Sequence, residues 1–427
     1  MAVTILRGNI CHAARPEALS VRKDAFVVCE DGVCRGVFDV LPVSYAGAEV
    51  TDCGDCLIIP GMVDLHLHAP QFSYRGTGMD CELLDWLEIH TFPEESKYAD
   101  PEYAERAYGM FADQMKRSAT TRASIFATIH REATLKLMNL MEQTGLVSYV
   151  GKVNMDRNAP PALLEGTAEA AARETTAFAE AALDRGFCRT RPILTPRFIP
   201  TCSDELLRAL KQVQRRYALP VQSHLSENPG EVETVRRLAP EARFYGDAYD
   251  RFGLFGGDAP TIMAHCIYST AAEIELMRDR GVWVAHCPNS NMNIGSGIAP
   301  MRKYLSLGLR AGLGSDVAGG QTESMFRAIT DAIQVSKLYW RYINSNQRAL
   351  SFSECFYLAT KGGGSFFGKV GSFEPGYAFD ALVIDDSITP HPQPMSLEDR
   401  LERAVYLGLD RDGIRAKYVQ GEAVFRK

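Results

Sequence analysis

The chain lacks the features that mark membrane, secreted and nucleic-acid-binding proteins. It has no apolar run near the roughly 20 residues that a membrane helix needs, and its N-terminal segment has no apolar stretch typical of a secretion signal. Basic residues are not concentrated in any segment, and the formal net charge is −7. We therefore expect a cytoplasmic protein that binds neither membrane nor nucleic acid, and whose partner is a small, neutral or weakly polar substrate.

A disulfide framework and a zinc ribbon are also missing. The 11 cysteines are an odd number and are scattered along the sequence, which is typical of reduced thiols. Cys53 and Cys56 form a Cys-x-x-Cys pair, but a zinc ribbon needs a second such pair and none follows. We interpret these two cysteines as small buried or turn residues.

Short, apolar, β-rich segments alternate with longer amphipathic segments after residue 60. This alternation is typical of parallel strands joined by crossover helices. The predicted strands lie at residues 62–66, 123–129, 148–153, 191–195, 220–224, 261–265, 282–287 and 310–314. Eight such units over about 310 residues predict an α/β fold, a TIM-type (β/α)8 barrel spanning residues 61–370. Residues 1–60 and 371–427 contain further short strands, and we expect both chain ends to join in one small β-sandwich domain.

Histidines and acids follow the ends of several predicted strands, which is where barrels of this class carry their chemistry. The chain has only 9 histidines. The residues at or just after the strand ends are His66 and His68 (first strand), His224 and Glu227 (fifth), His265 (sixth), His286 (seventh) and Asp316 (eighth). His66 and His68 are two positions apart, so both side chains point to the same face of their strand.

This set of residue types predicts a metal site. Three imidazoles and one carboxylate suit Zn²⁺, with Fe²⁺ as the alternative, in a site that keeps one position open for water. Bound zinc lowers the pKa of water toward about 7. Glu227, three positions after His224, is suited to accept and pass on a proton beside the metal. We expect His286 to support the site from behind, and His12 and His391, in the flanking segments, to be solvated.

These residues resemble the amidohydrolase superfamily, in its branch of mononuclear metal-dependent deaminases. The resemblance is carried by HLH after the first strand, by HCPNSN after the seventh, and by His224, His265 and Asp316. Dinuclear members usually supply a bridging lysine from the fourth strand, but here that strand ends in ILTPRF, which favours one ion per subunit. The stretches HAPQF, LLDWLEIHTFPEE, FATIH, TPRF, QSHLSEN and GLGSDVAGG are similar to the guanine deaminase family within this branch.

The resemblance implies a function and a set of site residues. The function is hydrolytic deamination of guanine to xanthine and ammonia, in purine catabolism or salvage, by an enzyme that is commonly a homodimer. The implied metal ligands are His66, His68, His224 and Asp316. The implied catalytic residues are Glu227 as proton shuttle, and His265 and Asp316 for stabilising the intermediate. The implied substrate contacts are His68, Gln71, Arg197, Phe198, His224, Glu227 and Asp316.

The chemistry of these side chains fits a purine. The amide of Gln71 can donate and accept at one edge of the ring, and Arg197 can donate to the carbonyl and a ring nitrogen. Phe198, with Trp86 or Phe92, can cover the ring face. Two alternatives stay open: deamination or dechlorination of another amino-heterocycle (8-oxoguanine, an aminotriazine or a pterin), and a metal-free scaffold on the same fold. The segment PNSNMNIGSG is the leading candidate for a loop that closes over the site.

Overall fold

Strands and helices alternate along most of the chain in the computed structural model, which describes residues 2–427. The strands are β1 (Val3–Arg15), β2 (Ala18–Glu30), β3 (Val33–Phe38), β4 (Val50–Pro60), β5 (Met62–His68), β6 (Thr120–Phe126), β7 (Val147–Gly151), β8 (Val153–Asn154), β9 (Thr190–Pro192), β10 (Thr195–Pro196), β11 (Val221–Leu225), β12 (Thr261–His265), β13 (Trp283–His286), β14 (Arg310–Leu313), β15 (Ala381–Ile384), β16 (Ile414–Val419) and β17 (Glu422–Arg426).

Most of the helices lie between the central strands. They are α1 (Leu83–Trp86), α2 (Phe92–Ser96), α3 (Pro101–Arg117), α4 (Arg131–Thr144), α5 (Ala168–Asp184), α6 (Asp204–Tyr217), α7 (Pro229–Leu238), α8 (Tyr245–Asp250), α9 (Ala271–Arg280), α10 (Pro288–Asn293), α11 (Met301–Ser306), α12 (Met325–Leu338), α13 (Phe352–Tyr357) and α14 (Leu397–Tyr406). In α6, Ser203 caps the N-terminus by accepting from the amide of Leu206, and Leu206, Leu210 and Val213 bury one face at helical spacing.

The central strands form two parallel four-stranded sheets in chain order, β5-β6-β7-β9 and β11-β12-β13-β14. A parallel bridge between Leu194 and Val221 links the first sheet to the second. At the other side, the amide of Asp316 donates to the carbonyl oxygen of His66 at 2.8 Å. The C-terminal ends of the first and last central strands therefore lie side by side, which positions the candidate site.

Several predicted strands have different limits in the structure; the first extends to His68, and the third, predicted at residues 148–153, is divided into β7 and β8. The second strand, predicted at residues 123–129, is β6 and runs from Thr120 to Phe126. The fourth, predicted at residues 191–195, is divided into β9 and β10, which both end at a proline. Because proline has no backbone N–H to donate to a ladder, the sheet pairing is interrupted there.

Strands from both ends of the chain form one seven-stranded sheet, in the order β17-β16-β15-β4-β1-β2-β3. β15 pairs antiparallel with β4, with Leu382 opposite Ile59. The sequence predicts a sandwich, whereas the hydrogen bonding is that of a single continuous sheet. The pairing of β1 with β2 shifts register between Gly8 and Ile10, and side chains from β1, β2, β4 and β15 of this sheet pack in one small apolar cluster that includes Phe373.

The exposure of side chains in this sheet contradicts the prediction for His12 and agrees with the prediction for Cys53 and Cys56. His12, expected to be solvated, is only 8% exposed: its Nδ1 lies 3.3 Å from Ser372 Oγ and its ring 5.8 Å from that of Phe373. Its flanking position in the sequence gives no sign that residues from the other chain end cover it. Cys53 and Cys56 are half-buried free thiols on β4. Within residues 2–427, no helix is both long and apolar enough to cross a bilayer.

Candidate metal centre and pocket

Four histidines and one aspartate converge where the central strands end. His66 and His68 lie at the end of β5, His224 on β11 and His265 at the end of β12, and Asp316 follows β14. All five side chains are buried. Asp316 Oδ1 lies 3.2 Å from His66 Nε2 and 3.5 Å from His68 Nε2, and the Nε2 atoms of His68 and His224 are 3.3 Å apart. The strand ends that the sequence singles out thus meet in space.

Hydrogen bonds on the outer side of the His224 and His265 rings determine which ring nitrogen carries the proton. Nδ1 of His224 lies 2.7 Å from the carbonyl oxygen of Arg197, and Nδ1 of His265 lies 2.8 Å from Asn291 Oδ1. Because both oxygens accept, each Nδ1 carries the proton and donates it. In a neutral ring, Nε2 then has a free lone pair, and in both residues this atom faces the cluster.

The arrangement fits a divalent cation. Both ring nitrogens of His66 are buried without a hydrogen-bond partner among the described residues. His66, His68 and His224 form one possible ligand group, and His66, His265 and Asp316 form another. Lone pairs that point at one another are unfavourable unless a shared cation lies between them, and buried polar atoms normally have a partner. The donor set of imidazole and carboxylate is one that zinc and iron both accept.

The pKa shifts favour the ligand forms of these groups. Burial is the main cause of the pKa shift in all three histidines. It lowers the pKa of His66, and it lowers the pKa values of His68 and His224 well below the usual value for histidine. All three rings are therefore neutral, as metal binding requires. Burial alone would raise the pKa of Asp316, but the neighbouring imidazoles of His66 and His265 outweigh it and hold the pKa at about 2.

Glu227 lies beside this cluster with each carboxylate oxygen in a different environment. Oε1 accepts a hydrogen bond from Ser296 Oγ at 3.0 Å, and Oε2 lies 3.4 Å from His265 Nε2. The backbone amide of Glu227 donates to Glu231 Oε2 at 2.8 Å. Burial, followed by the charge of Asp316, raises the pKa of Glu227 to about 8. A carboxyl group with such a pKa can both accept and release a proton near neutral pH.

A cavity of about 400 Å³, including its open mouth, lies over the cluster. It is lined by every residue that the sequence predicts as a substrate contact: His68, Gln71, Arg197, Phe198, His224, Glu227 and Asp316. His265 and Trp86 also line it. Phe92 does not, although its ring centroid lies 5.5 Å from the guanidinium carbon of Arg197. His286 is buried, and its Nδ1 has no hydrogen-bond partner within residues 2–427.

Several residues that shape this cavity were not predicted from the sequence. Leu83, Leu87 and Ile294 form apolar walls, and the amide of Leu83 donates to the carbonyl oxygen of Ile294 at 3.1 Å, which joins two loops across the cavity. Ser296 and Asn291, the partners of Glu227 and His265, are also missed as individual residues. Leu83 and Leu87 are four positions apart, so amphipathic spacing is the signal that could have indicated their common face.

Tight backbone geometry surrounds the cluster. His265 and Asp316 have φ values of 71° and 50°, in the left-handed region that residues with a Cβ rarely adopt. Gly314, two positions before Asp316, is in close contact with its neighbours. A Cβ at this position would lie 2.9 Å from Cys287 Sγ and 3.0 Å from the Cβ of His66. Only glycine therefore lets the last central strand approach the first so closely.

Comparisons with known proteins agree with this geometry. The profile of the amidohydrolase family matches residues 57–424. A guanine deaminase of Dictyostelium discoideum is 38% identical over 411 residues, covering 95% of this chain and 88% of that protein, and the guanine deaminase of Homo sapiens is 37% identical over 378 residues, covering 86% and 82%. A crystal structure of guanine deaminase from C. acetobutylicum with guanine bound in its active site has a TM-score of 0.96 and 46% identity, and covers 99% of this chain and 100% of that one.

Proposed function

The chain belongs to the amidohydrolase family, and we infer that it is a guanine deaminase, which hydrolyses guanine to xanthine and ammonia in purine catabolism or salvage. The observation that carries this conclusion is the cavity itself. The buried cluster of imidazoles and a carboxylate forms its floor, Glu227 lies beside the floor, and Gln71 and Arg197 are on its wall. In the structurally similar enzyme from C. acetobutylicum, guanine occupies the active site.

For the fold, we propose a TIM-type (β/α)8 barrel over residues 61–370, with residues 1–60 and 371–427 completing one flanking β-domain. The chain order of the parallel strands, the bridge from Leu194 to Val221 and the bond from Asp316 to His66 support the barrel. The pairing of β15 with β4 supports the division into two units.

For the metal, we propose one Zn²⁺ per subunit, held by His66, His68, His224 and Asp316, with Fe²⁺ as the alternative. The neutral imidazoles, the ionised Asp316 and the unpartnered nitrogens of His66 support this ligand set. When bound, such an ion supplies a water molecule that is ionised near neutral pH and acts as a Lewis acid.

Glu227 is the proton carrier in the proposed mechanism. It accepts a proton from the attacking water and delivers it to N3 of guanine, so that C2 becomes more electrophilic. Ser296 holds Oε1, and Oε2 is therefore the oxygen that transfers the proton. Because Nδ1 of His265 donates to Asn291, its Nε2 lone pair, 3.4 Å from Glu227 and 3.7 Å from Asp316, accepts a hydrogen bond from the attacking water and then from the hydroxyl group at C2 of the intermediate. Glu227 then takes the proton of the C2 hydroxyl group and delivers it to the amino group, so that the C2–N bond breaks, ammonia leaves and the C2 carbonyl of xanthine forms.

The cavity wall recognises the purine by shape and by hydrogen bonds. Phe198 and Trp86 provide apolar surface for the flat ring faces, and the ring centroid of Phe198 lies 6.2 Å from that of His224. Gln71 and Arg197 supply the hydrogen bonds to the carbonyl and ring nitrogens at the purine edge. His68, His224, Glu227 and Asp316 contact the side of the purine that reacts.

We also propose that the enzyme is a homodimer. Exposed apolar side chains lie at and just after the end of α12: Leu338 is 48% exposed, Tyr342 84% and Ile343 60%. Large exposed apolar side chains so close together in the sequence support a protein interface at this end of the helix. Light scattering on the purified protein tests this proposal, and a mass of 47.2 kDa would correspond to a monomer.

The decisive experiment is ammonia release from guanine before and after chelation, combined with metal analysis of the purified protein. We expect rapid release, its loss on chelation and its recovery with Zn²⁺ or Fe²⁺, at about one ion per chain. A substrate panel of 8-oxoguanine, an aminotriazine and a pterin tests the specificity. Faster turnover of one of these rings than of guanine would show that guanine is not the preferred substrate. A protein that contained no metal and released no ammonia would instead be a scaffold.

A further inference from the structure

Glu95 lies directly behind the recognition side of the cavity, on α2. It is completely buried, and its carboxylate holds the two side chains that the proposed function assigns to the purine edge. Oε2 accepts from Arg197 Nη1 at 2.6 Å, and Oε1 accepts from Gln71 Nε2 at 2.9 Å. Gln71 follows β5 and Arg197 follows β10, so one carboxylate connects two recognition elements from distant parts of the chain.

The orientation of the Gln71 amide is determined from both sides. Glu95 can only accept a hydrogen bond, so Nε2 faces it, and the backbone amide of Ala318 can only donate, so Oε1 faces Ala318 at 3.2 Å. A flipped amide would place two donors together at one end and two acceptors together at the other. Gln71 therefore has one remaining N–H and one remaining lone pair for a ligand, in a single fixed arrangement.

The charge of Arg197 is balanced in the same way. Its side chain is 3% exposed and that of Glu95 is 1% exposed, so neither charge is screened by water. A buried guanidinium without a carboxylate partner is strongly disfavoured and would attract any anion that enters the cavity. With Glu95 in place, the pair is neutral overall, which suits a neutral purine such as guanine.

We propose that Glu95 is a positioning and specificity-determining residue for the deamination. It sets the hydrogen-bond pattern that Gln71 and Arg197 present, and it cancels the arginine charge so that the more acidic product, xanthine, is not retained as an anion. The proposal rests on the proposed function, since it takes guanine as substrate and xanthine as product. Glu95 contacts neither directly and acts through the two side chains that do.

The substitution Glu95→Gln tests both parts of the proposal, because it keeps size and removes charge. Glu95 accepts from Arg197 and Gln71 through two oxygens, whereas a glutamine has one oxygen and one NH2 group. Its NH2 group would therefore face the N–H of either Arg197 or Gln71, and the hydrogen-bond pattern would be lost. We expect the KM for guanine to rise at least tenfold while kcat changes less than threefold. We expect the ratio of the xanthine Ki to the guanine KM to fall at least tenfold, because the uncompensated arginine binds the product anion.

Two further variants separate charge from geometry. Glu95→Asp keeps the charge but shortens the side chain, so the KM should rise while the Ki-to-KM ratio stays within threefold of the wild-type value. Glu94→Gln is the matched control: the adjacent Glu94 accepts from Ser73 and from Lys97 Nζ, neither of which lines the cavity. This variant should leave both constants within twofold.

Metal content and thermal unfolding of each variant verify that the protein is folded. A Ki-to-KM ratio that is unchanged in Glu95→Gln, or that changes equally in Glu95→Asp and Glu95→Gln, would overturn the charge role. An unchanged KM would overturn the positioning role. Failure of the wild-type enzyme to release ammonia from guanine would instead refute the proposed function, so the two failures are distinguishable.

Discussion

Nδ1 of His224 donates to the backbone carbonyl oxygen of Arg197 across 2.7 Å, and this bond connects the buried cluster of histidines and Asp316 to the cavity wall. Ser223 Oγ donates to the same oxygen at 3.1 Å. The loop that presents the arginine side chain therefore also fixes the tautomer of a proposed metal ligand. A displacement of this loop would disturb the proposed ligand geometry and the proposed substrate contact together.

Substitution of Glu227 by glutamine should abolish proton transfer without emptying the metal site. General acid–base catalysis contributes about 10² to 10⁴ in rate, so we expect a loss of that order in kcat with metal content retained. Steady-state kinetics and metal analysis measure the two quantities. His130→Gln is a control outside the cavity lining, and activity should stay within twofold. Full activity of Glu227→Gln would refute the proton-carrier role.

Ser296→Ala should lower activity to a smaller extent, because the hydroxyl orients Glu227 and does not react. A hydrogen bond to a charged group contributes about 1.5–3 kcal/mol, so we expect a decrease of roughly tenfold or more in kcat/KM. The matched control is Ser306→Ala, whose exposed hydroxyl donates to the carbonyl oxygen of Lys303. Equal activity of the two variants would show that the bond from Ser296 to Glu227 does not orient the carboxylate.

Gly314→Ala should weaken metal binding through a clash with His66 rather than through any change in charge. The added methyl group would lie 3.0 Å from the Cβ of His66, which must then move away from the other ligands. We expect substoichiometric metal after purification and a lower melting temperature. Gly109→Ala, inside α3, is the control: apart from the backbone of α3 itself, no atom of the described residues lies within 4 Å of the new Cβ, so this change should stabilise the protein by up to about 1 kcal/mol. Full metal occupancy in Gly314→Ala would contradict the prediction.

His12 should make stability depend on pH below neutrality. Burial is the main cause that lowers its pKa to about 4, whereas the unfolded chain has a value near 6.5. Between these values the unfolded state binds more protons, so the free energy of unfolding falls as the pH drops from about 6.5 to about 4. In His12→Gln this contribution is absent. The stability advantage of the wild type over this variant should therefore shrink by about 2 kcal/mol between pH 7 and pH 5.

Urea unfolding at both pH values measures this difference. His391→Gln, in a surface segment, is the control and should follow the wild type at both pH values. An advantage that is constant with pH would show that His12 is accessible to protons in the folded state.

The sequence was sufficient to predict the floor of the cavity because strand geometry is local. Two positions on one strand share a face, and the ends of parallel strands in a sheet share an edge. These two rules bring His66, His68, His224, His265 and Asp316 together, and the structure places them within one buried cluster. No knowledge of loop conformation was needed for this part of the site.

The residues behind the cavity wall could not be predicted in the same way. Glu95 and Arg197 are 102 positions apart, and Ser296 and Glu227 are 69 positions apart. Each pair meets only because segments that follow different central strands pack against one another. His12 is buried by residues 360 positions away. Such contacts have no periodic signal, because loop placement depends on packing across the whole fold.

The sheet that joins both ends of the chain also has a consequence for biosynthesis. Thr4 Oγ1 donates to the carbonyl oxygen of Gly421, which lies 417 positions further along the chain. One edge of β4 pairs with β15, a strand that is synthesised much later. During translation the nascent β4 has an unpaired edge until the ribosome has made the entire central segment. A chaperone that covers this edge would suppress aggregation of the growing polypeptide, and its protection would become unnecessary once β15 docks.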